Sequence, residues 1–406
     1  MQSFSELSIS PSLKERLHAA QFSAPTPVQA AAIPQALAGA DVIATAQTGT
    51  GKTLAFLIPV IEKLSLPKTA GIAALVLVPT RELAMQVLAQ YEALRCKQGR
   101  PAALVVGGMP EGCQLDAIRK GARLVVATPG RLEDYLDRGL LSLSNVKTLV
   151  LDEADRMLDM GFLPAIRRIV RNLPKQRQTL CFSATMEGAV TDLVKDYTAN
   201  PVRLTFGSTL KPSENVRLQA FEVPDHGKPE MLYNLLIQES GRCLVFSRTK
   251  RGTERIAKSL SRQGINTAMI HGDRSQSQRT AALTGFQRGQ YRVLVATDVA
   301  ARGIHVQDIA HVINYDLPEV AENFIHRIGR TGRAGERGVA STFFLREQRT
   351  ELFQLERTLG IRMERVHGAR FEGIESAPKD RERVPATSRS TLIRLPGEFL
   401  QAQMEN

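Results

Sequence analysis

A short glycine-rich segment between an apolar run and a helical pattern carries the strongest chemical signal in this sequence. It reads Ala46, Gln47, Thr48, Gly49, Thr50, Gly51, Lys52 and Thr53. Glycines let the backbone curl so that its N–H groups point at one anion, and the dipole of a following helix adds to the attraction. We expect Lys52 to neutralise terminal phosphates and the Thr53 hydroxyl to hold Mg²⁺. The segment predicts a phosphate-binding loop for a nucleotide, with Ala46 in place of the usual first glycine.

Two adjacent acids, Asp152 and Glu153, end another apolar run at residues 148–151. Such acids are the usual partners of a phosphate-binding loop. Asp152 is expected to hold Mg²⁺ through its water shell, while Glu153 orients and deprotonates an attacking water. The loop and the acids together predict phosphoryl transfer to water.

A glycine-punctuated segment at residues 326–333 holds three arginines, Arg327, Arg330 and Arg333. A cation that reaches the γ-phosphoryl group stabilises the charge that develops there during transfer. The second half of the chain lacks a phosphate-binding loop of its own, since its one Gly-Lys pair, at Lys228, is followed by Pro229. We therefore expect one bound nucleotide to serve both halves.

Apolar runs that alternate with amphipathic stretches must position these residues. This alternation is typical of parallel strands joined by crossover helices, so the sequence predicts doubly wound α/β sheets. The clearest runs are residues 42–46, 74–78, 124–127, 148–151 and 178–182, and then 244–246, 293–296 and 311–314. A polar stretch divides the two series. We expect a first domain at residues 1–207, a linker at 208–215, a second domain at 216–364 and a basic, flexible tail at 365–406.

One segment of the chain recurs almost unchanged in the second half. Residues 123–128 read RLVVAT and residues 292–297 read RVLVAT. Such self-similarity is typical of duplicated units. Convergence of two apolar strands is the alternative explanation.

Composition narrows the classes of protein that the chain can belong to. Its 406 residues are enough for two or three domains, and 53 basic against 41 acidic side chains leave a net charge of +12, which favours a polyanionic partner. No apolar run reaches the roughly 20 residues of a membrane-spanning helix. No secretory signal is visible at the N-terminus, so we expect a cytoplasmic protein without a membrane partner. The four cysteines stand singly, unlike those of a zinc site or disulfide scaffold.

In this order, the motifs resemble those of the DEAD-box RNA helicases, most closely the bacterial members. The family box reads Asp152, Glu153, Ala154 and Asp155, and the resemblance extends from residue 4 to about residue 335. It implies two tandem RecA-like doubly wound parallel-sheet domains. It also implies an RNA-stimulated ATPase that uses ATP and Mg²⁺ to unwind RNA duplexes locally or to remodel RNA–protein complexes by closure of its two domains. We expect the protein to act as a monomer.

The resemblance also assigns roles to individual residues. Phe22 and Gln29 would contact adenine. Ser183, Ala184 and Thr185 would couple hydrolysis to domain closure through Asp155 and His326. Arg330 and Arg333 would be the arginine fingers. Contacts to the RNA sugar-phosphate backbone, independent of base sequence, would come from Pro79, Thr80, Arg81, Gly107, Gly108, Thr128, Pro129, Gly130, Arg131, Arg248, Gln276, Arg279 and Thr297.

Two positions depart from the family pattern. His305 stands where the family usually carries an aspartate that contacts the ATP ribose, and Gln21 stands where glycine commonly precedes the aromatic residue. A histidine keeps one hydrogen bond but loses the carboxylate, so we expect a weaker or pH-dependent grip on the nucleotide.

Three other functions share some of these residues. A DNA-translocating P-loop helicase would have the same loop, acids and arginines, and preference for RNA through its 2′-hydroxyl separates the two. An ATP-switched RNA clamp or annealing module would bind RNA without displacing a duplex strand. A phosphotransferase on the same loop has little support, since no acceptor site is visible in the sequence.

Overall fold

Two seven-stranded, entirely parallel sheets organise the protein, one in each half of the chain. The computed structural model describes residues 3–47, 49–65, 71–96, 101–186, 188–206, 215–301, 306, 308–332 and 336–366. Strand order is β3-β4-β2-β5-β6-β1-β7 in the first sheet and β10-β11-β9-β12-β13-β8-β14 in the second. Helices that cross between parallel strands cover the sheets. The predicted fold class is confirmed.

The first half begins with short helices and then alternates strands with helices. Its strands are β1 (Val42–Ala46), β2 (Ala74–Leu77), β3 (Ala102–Val105), β4 (Leu124–Ala127), β5 (Thr148–Asp152), β6 (Gln178–Ser183) and β7 (Val202–Phe206). Its α-helices are α1 (Pro11–Ala19), α2 (Pro27–Leu37), α3 (Lys52–Ser65), α4 (Arg81–Leu94), α5 (Glu111–Arg119), α6 (Pro129–Asp137), α7 (Ala154–Asp159), α8 (Leu163–Arg171) and α9 (Ala189–Tyr197), after a 3₁₀ turn at Phe4–Glu6.

The second half repeats this alternation. Its strands are β8 (Val216–Glu222), β9 (Arg242–Phe246), β10 (Thr267–Ile270), β11 (Val293–Ala296), β12 (Ile309–Asn314), β13 (Gly338–Phe344) and β14 (Glu364–Val366). Its α-helices are α10 (Lys228–Gln238), α11 (Lys250–Arg262), α12 (Gln276–Gln287), α13 (Asp298–Ala301), α14 (Ala321–Ile328) and α15 (Arg349–Leu359), with 3₁₀ turns at Asp225–Gly227 and Arg346–Gln348.

Burial on both faces of each sheet explains why most strands are continuous apolar runs. All five residues of β1 are buried; Val42 and Ala44 join the core on one face, whereas Ile43 joins the core on the other. The covering helices are amphipathic: α8 buries Ile166 and Ile169 and exposes its arginines. Among the helices of the described residues, none is both long and apolar enough to span a bilayer.

The two sheets have the same internal order, because each strand of the second corresponds to the strand seven places earlier. The repeated segments are β4 and β11, and each is the second strand of its sheet. β4 pairs with β2 as β11 pairs with β9. This correspondence supports duplication over chance convergence.

Six strands have no counterpart among the predicted apolar runs: β3, β7, β8, β10, β13 and β14. β7 alternates half-buried and exposed residues because it lies at a sheet edge, so it lacks a continuous apolar run. The start of the tail also differs, since Arg365 and Val366 belong to β14, which pairs with β8. The Arg365 guanidinium bonds to both carboxylate oxygens of Glu356, at 2.9 and 2.7 Å, which holds this edge strand in place. The remaining tail and residues 208–214 of the predicted linker lie outside the described residues.

Candidate nucleotide and nucleic-acid sites

Nearly all the predicted site residues follow the carboxyl ends of strands, which in a parallel sheet meet at one edge. In the first sheet, the nucleotide-site residues follow the neighbouring strands β5, β6 and β1. The residues expected to contact RNA follow β3, β4 and β2, on the other side of the same edge. In the second sheet the corresponding strands β10, β11 and β9 lead to Gln276, Thr297 and Arg248. Strand order therefore separates the two expected sites within the first half.

The phosphate-binding loop lies between β1 and α3. Gly49 and Gly51 have φ of +85° and +88°, a conformation that glycine adopts without strain. Lys52 is buried and its Nζ donates to the carbonyl of Ala46 at 2.8 Å, so the lysine spans the mouth of the loop. The Thr50 hydroxyl donates to the carbonyl of Gln47 at 2.8 Å. Thr48 lies outside the described residues. The loop is thus curled, with its lysine and a helix N-terminus at one place.

Gln29 ties the segment before β1 to this loop. Its Nε2 donates to the carbonyl of Gly51 at 2.9 Å, while its Oε1 accepts the N–H of Thr26 at 2.9 Å as part of a capping box. A Cβ on Gly51 would collide with the Gln29 amide, so the glycine is needed for this approach as well as for its φ. Phe22 is half-buried and packs against the core that contains Val42 and Ala44. Gln29 therefore fixes the start of α2 against the loop.

Asp152 ends β5 with only 3% of its surface exposed. Burial, the largest effect, raises its pKa to about 7; Glu153 and Asp155 add to the rise, and Lys52 opposes it. A buried carboxylate of this kind is stabilised by a cation, and its oxygen, with the Thr53 hydroxyl of the loop, has the donor chemistry that Mg²⁺ prefers. These two residues fit the predicted magnesium site.

Glu153 has a left-handed backbone, with φ 53° and ψ 51°, between β5 and α7. A non-glycine residue in this region carries strain, which persists where its surroundings fix the conformation and which clusters at active sites. Its N–H donates to Asp152 Oδ1 at 3.0 Å, so the two acids are held in a fixed relation. This geometry is consistent with a base placed beside the metal-binding acid.

Asp155 connects the acids to the end of β6. Its Oδ2 accepts the N–H groups of Ala184 and Thr185 at 3.0 and 3.1 Å, and its own N–H donates to Ser183 Oγ at 3.2 Å. The expected link to His326 is not seen as a hydrogen bond, since within the described chain Nδ1 of this buried histidine has no partner. Asp155 is therefore hydrogen-bonded to the expected coupling segment at residues 183–185, whereas His326 is not hydrogen-bonded to it in the described part of the chain.

The arginine-rich segment separates into residues with different surroundings. Arg327 is consumed locally: its guanidinium contacts both Asp298 carboxylate oxygens at 2.6 and 2.7 Å and the Asp316 carbonyl at 2.7 Å. Arg330 is 3% exposed and its Nε donates to the His326 carbonyl at 3.3 Å. Arg333 and His305 lie outside the described residues. Arg327 is accordingly a structural residue, which its position in the motif does not reveal.

A small cavity brings the two halves together at this segment. Arg156 of the first half lines it beside residues of the second half, namely Phe246, Asp298, Ala301, Asn323, His326, Arg327 and Arg330. Arg156 follows Asp155 directly and its N–H donates to Asp155 Oδ1 at 3.0 Å. The arginine segment therefore lies against α7, the helix that begins directly after the two acids and contains Asp155.

Arg81 lies over the glycine pair of the first half. A Cβ on either Gly107 or Gly108 would press against its guanidinium, and Gly108 has φ of +70°. Burial lowers the pKa of Arg81, and the neighbouring Arg279 and Arg131 lower it further, against Glu82. Guanidinium groups that repel one another form a favourable place for an anion such as phosphate. The structure thus brings together three of the arginines expected to contact RNA.

Two buried residues near this cluster were missed in the sequence. The Gln114 side chain accepts the N–H of Val106 at 2.9 Å and donates to the carbonyls of Val106 and Met109, both at 3.1 Å, so it shapes the loop that holds Gly107 and Gly108. Glu82 is 2% exposed; its Oε1 accepts Gln276 Nε2 and its Oε2 pairs with Arg279 Nη2, both at 2.9 Å. Glu82 therefore links the halves. No sequence pattern predicts these contacts of Gln114 and Glu82.

The remaining predicted residues are held at strand ends. Thr128 and Thr80 are buried at the N-caps of α6 and α4, and Pro79 and Pro129 are buried beside them. Arg131 pairs with Asp134 at 3.1 Å, and Gly130 is exposed. In the second half, Asp316 accepts the Arg248 N–H at 2.9 Å and pairs with buried Lys228 at 3.1 Å. Thr297 is buried directly after β11.

Similarity to known proteins decides the family. Residues 26–193 match the model of the DEAD/DEAH box helicase family, and residues 227–335 match the helicase conserved C-terminal domain. The DEAD-box ATP-dependent RNA helicase CshA of Bacillus subtilis is 40% identical over 364 residues, which cover 89% of this chain and 74% of that protein. The chain belongs to the DEAD-box ATP-dependent RNA helicases. This DEAD-box chain is of the bacterial type that its motifs resemble.

Solved structures agree with this DEAD-box assignment. The structure of S. cerevisiae Dbp5 bound to RNA and ADP BeF3 has a TM-score of 0.82 at 32% identity and covers 90% of this chain and 96% of that chain. A Dbp5 variant bound to Nup159, a Gle1 variant, IP6 and ADP has a TM-score of 0.62 at 30% identity, with 89% and 96% covered. The shared architecture is the tandem RecA-like fold.

Proposed function

We propose that this DEAD-box helicase unwinds short RNA duplexes independently of base sequence, by closing its two halves around ATP and one RNA strand. The observation that supports this most strongly is the cavity at Arg156. There α7, the helix that begins after the two acids of the first half, meets Arg330 of the second half. Loop and acids lie in one half and the arginine in the other, so neither half alone holds the whole site.

ATP binding is assigned mainly to the first half. The loop backbone and Lys52 hold the phosphates, while Phe22 and Gln29 contact adenine. Gln29 already bonds to the loop at Gly51, which supports a link between adenine recognition and loop geometry. His305 of the second half is assigned to the ribose, following the family pattern.

Hydrolysis needs a base and cations placed around the γ-phosphoryl group. Glu153 takes the proton of the attacking water, and Lys52, Arg330 and Arg333 stabilise the charge on the transferred group. Thr53 and Asp152 would hold Mg²⁺, which would neutralise phosphate charge when bound. Asp155 carries the change to Ser183, Ala184 and Thr185, with His326 facing from the other half.

RNA binding is assigned to the residues beyond β3, β4 and β2 and their counterparts in the second half. Backbone N–H groups, threonines and arginines dominate this set, and these contact sugar and phosphate rather than base edges. A closed site of this kind holds one strand in a path that a duplex cannot follow. Base pairs at the site are consequently lost, and hydrolysis reopens the halves and releases the strand.

Two observations support closure. The contacts from Glu82 to Gln276 and Arg279 cross between the halves. The TM-score is higher to Dbp5 with RNA and ADP BeF3 than to its variant with two protein partners and ADP, although the identities are similar. This difference supports a placement of the halves like that of the RNA-bound structure.

We also propose the domain division at residues 1–207, 208–215 and 216–366, with a tail that begins after β14. The last strand of the first sheet ends at Phe206 and the first strand of the second begins at Val216, which supports these limits. All the residues assigned to the ATP site belong to one chain, which supports action as a monomer.

ATP hydrolysis without nucleic acid, with RNA and with DNA of identical sequence tests the proposal at one stated salt concentration, since salt shifts binding. We expect RNA alone to stimulate hydrolysis, and a short labelled RNA duplex to be displaced with ATP. Equal stimulation by DNA would favour the DNA-translocating alternative. Stimulation without displacement would favour the RNA clamp.

A further inference from the structure

Helix α11 (Lys250–Arg262) presents a row of basic side chains away from the sheet. Arg251, Arg255, Lys258 and Arg262 lie three or four residues apart and are all exposed. At 3.6 residues per turn they fall within an arc of about 60°, so they form one stripe along the helix. The opposite face buries Thr253, Ile256, Ala257 and Leu260. We call the four exposed cations, Arg251, Arg255, Lys258 and Arg262, the α11 stripe.

Among the described residues, an acid pairs with only one of the four cations of the α11 stripe. The helix carries five basic residues and one acidic residue, Glu254. Lys258 pairs with Glu254 at 3.5 Å. Within the described part of the chain, Arg251, Arg255 and Arg262 form no ion pair. Three unpaired guanidiniums on one helical ridge repel one another, and a polyanion relieves that repulsion.

The corresponding helix of the first half lacks this row. β2 and β9 are each the third strand of their sheets, and Thr80 and Thr249 cap the helices that follow, α4 and α11. Aligned from these caps, the stripe positions correspond in α4 to Glu82, Gln86, Ala89 and Ala93. A shared fold therefore does not require the cations, and they are a feature of the second half alone.

The α11 stripe is continuous with the proposed RNA site. Arg248, assigned to the RNA backbone, lies two residues before the helix, and Lys250 opens it. From Arg251 to Arg262 the helix rises about 16 Å, with successive charges about 5–6 Å apart. This length can follow several nucleotides along the outer side of the second half. A helix that runs from the strand ends toward the opposite edge leads RNA away from the cleft.

We propose that the α11 stripe binds the phosphates of RNA that continues beyond the strand held in the cleft. The inference rests on the proposed RNA-binding function and extends it from the cleft to a flanking surface. Because the contacts are ionic, they add affinity that depends on salt and on RNA length but not on sequence. The stripe would hold the enzyme beside a duplex while the cleft acts on one strand.

The test compares two triple variants in the full chain. The test variant is Arg251→Gln, Arg255→Gln and Arg262→Gln; the control, Arg167→Gln, Arg168→Gln and Arg171→Gln, removes three exposed arginines from α8. Dissociation constants are measured over a salt series with a non-hydrolysable ATP analogue. The probes are an RNA of about 8 nucleotides, within the size of one binding site, and the same RNA with a longer 5′, 3′ or duplex extension.

We expect the test variant to bind the short RNA like wild type, which also shows that it is folded. On at least one extended RNA its affinity should fall on the order of tenfold, and its salt slope should decrease by about 2, the value for three lost phosphate contacts. The control should match wild type on every RNA. Arg262→Gln alone should weaken binding only to longer extensions, whereas Arg251→Gln alone should already weaken binding to shorter ones.

Equal affinities and salt slopes for the test and control variants on all extended RNAs would overturn the inference. Equal losses in both variants would also overturn it, because the effect would then reflect overall charge. Failure of wild type to bind the short RNA is a different result, which contradicts the proposed function itself.

Discussion

Glu153 is the residue whose surroundings best separate binding from catalysis. It follows Asp152, the acid proposed to bind the metal, and has a strained backbone, whereas the segment proposed to hold the phosphates is a different one, the loop from Ala46 to Thr53. A carboxylate that only activates water can be removed without loss of ligand affinity. The two functions should therefore respond differently to substitution at this position.

Replacing Glu153 with Gln should preserve ATP and RNA binding and reduce turnover on the order of 10²- to 10⁴-fold, the usual contribution of a positioned base. Single-turnover hydrolysis and equilibrium binding measure the two effects. Glu347→Gln, at an exposed position, serves as the control and should behave as wild type. Hydrolysis at the wild-type rate by Glu153→Gln would remove this role.

Gln21 shows how a departure from the family pattern is explained by backbone geometry. It has φ of +62° at the end of α1, where the Phe22 N–H bonds to Leu17 and the Gln21 N–H to His18. These two bonds form a Schellman motif, in which the left-handed position favours glycine. The family glycine is thus a helix stop, and its absence is a cost in stability rather than in chemistry.

At the scale of elements, this cap gives a direct prediction. Gln21→Gly should stabilise the first half by about 0.5–1 kcal/mol, because the relief of left-handed strain exceeds the added freedom of the unfolded chain. Urea denaturation measures the change. Gln35→Gly, an exposed position inside right-handed α2, should instead destabilise by about 1 kcal/mol. A loss of stability in both variants would contradict the assignment.

The strand pair β12 and β13 contains a buried histidine that makes stability depend on pH. His311 is 1% exposed, its Nε2 lies 2.8 Å from Ser341 Oγ, and burial lowers its pKa from 6.5 to about 4. The unfolded chain binds a proton near pH 6.5, whereas the folded chain binds it near pH 4. Stability should therefore be lost as pH falls from 6.5 to 4, with no further loss from this group below.

Between pH 6.5 and 5 this loss should be about 2 kcal/mol. Hydrogen exchange of peptides that cover β12 reports it locally. His311→Gln should reduce the pH dependence, while the exposed His18→Gln should leave it unchanged. An unaltered profile in His311→Gln would show that other groups cause the dependence.

Elements also set the limit of what the sequence can predict. The loop, the acids and the alternating runs have strong local patterns, which is why the α/β class and strands such as β1 and β5 were predictable. Short edge strands such as β7 lack a continuous apolar run because one face is open. Glu82 acts through Gln276 and Arg279, which only the fold brings near, so no local pattern marks it. Gln114 bonds to the backbone of the loop just before it, and no recognisable sequence pattern marks those bonds either. Arg327 and Arg330 look equivalent until Asp298 is seen beside the former.

In the molecule as a whole, the contacts of Glu82 with the second half offer a way to test whether the two halves close on each other. It is nearly inaccessible and meets two polar side chains of the other half. Loss of a buried charge from such a pair costs several kcal/mol in the state that contains it and little in the state that does not. The pair therefore should favour the closed form.

Glu82→Ala should weaken the coupling between the two ligands. We expect the ratio of RNA affinities with a non-hydrolysable ATP analogue and with ADP to fall about tenfold or more. Glu82→Gln, which keeps an acceptor for Gln276 but removes the charge facing Arg279, should be intermediate. If the affinity ratio stays at the wild-type value in Glu82→Ala, the contact does not contribute to closure.

An ATP site shared between the halves is the basis of the proposed function, and Arg330 is the described residue that tests it. In the full chain, the RNA-stimulated hydrolysis rate at saturating ATP should be measured for Arg330→Gln. A shared site predicts a loss on the order of 10³-fold, with the dissociation constant for ATP changed only a few-fold. A rate within a few-fold of wild type would contradict it, because the first half would then complete the chemistry without the second.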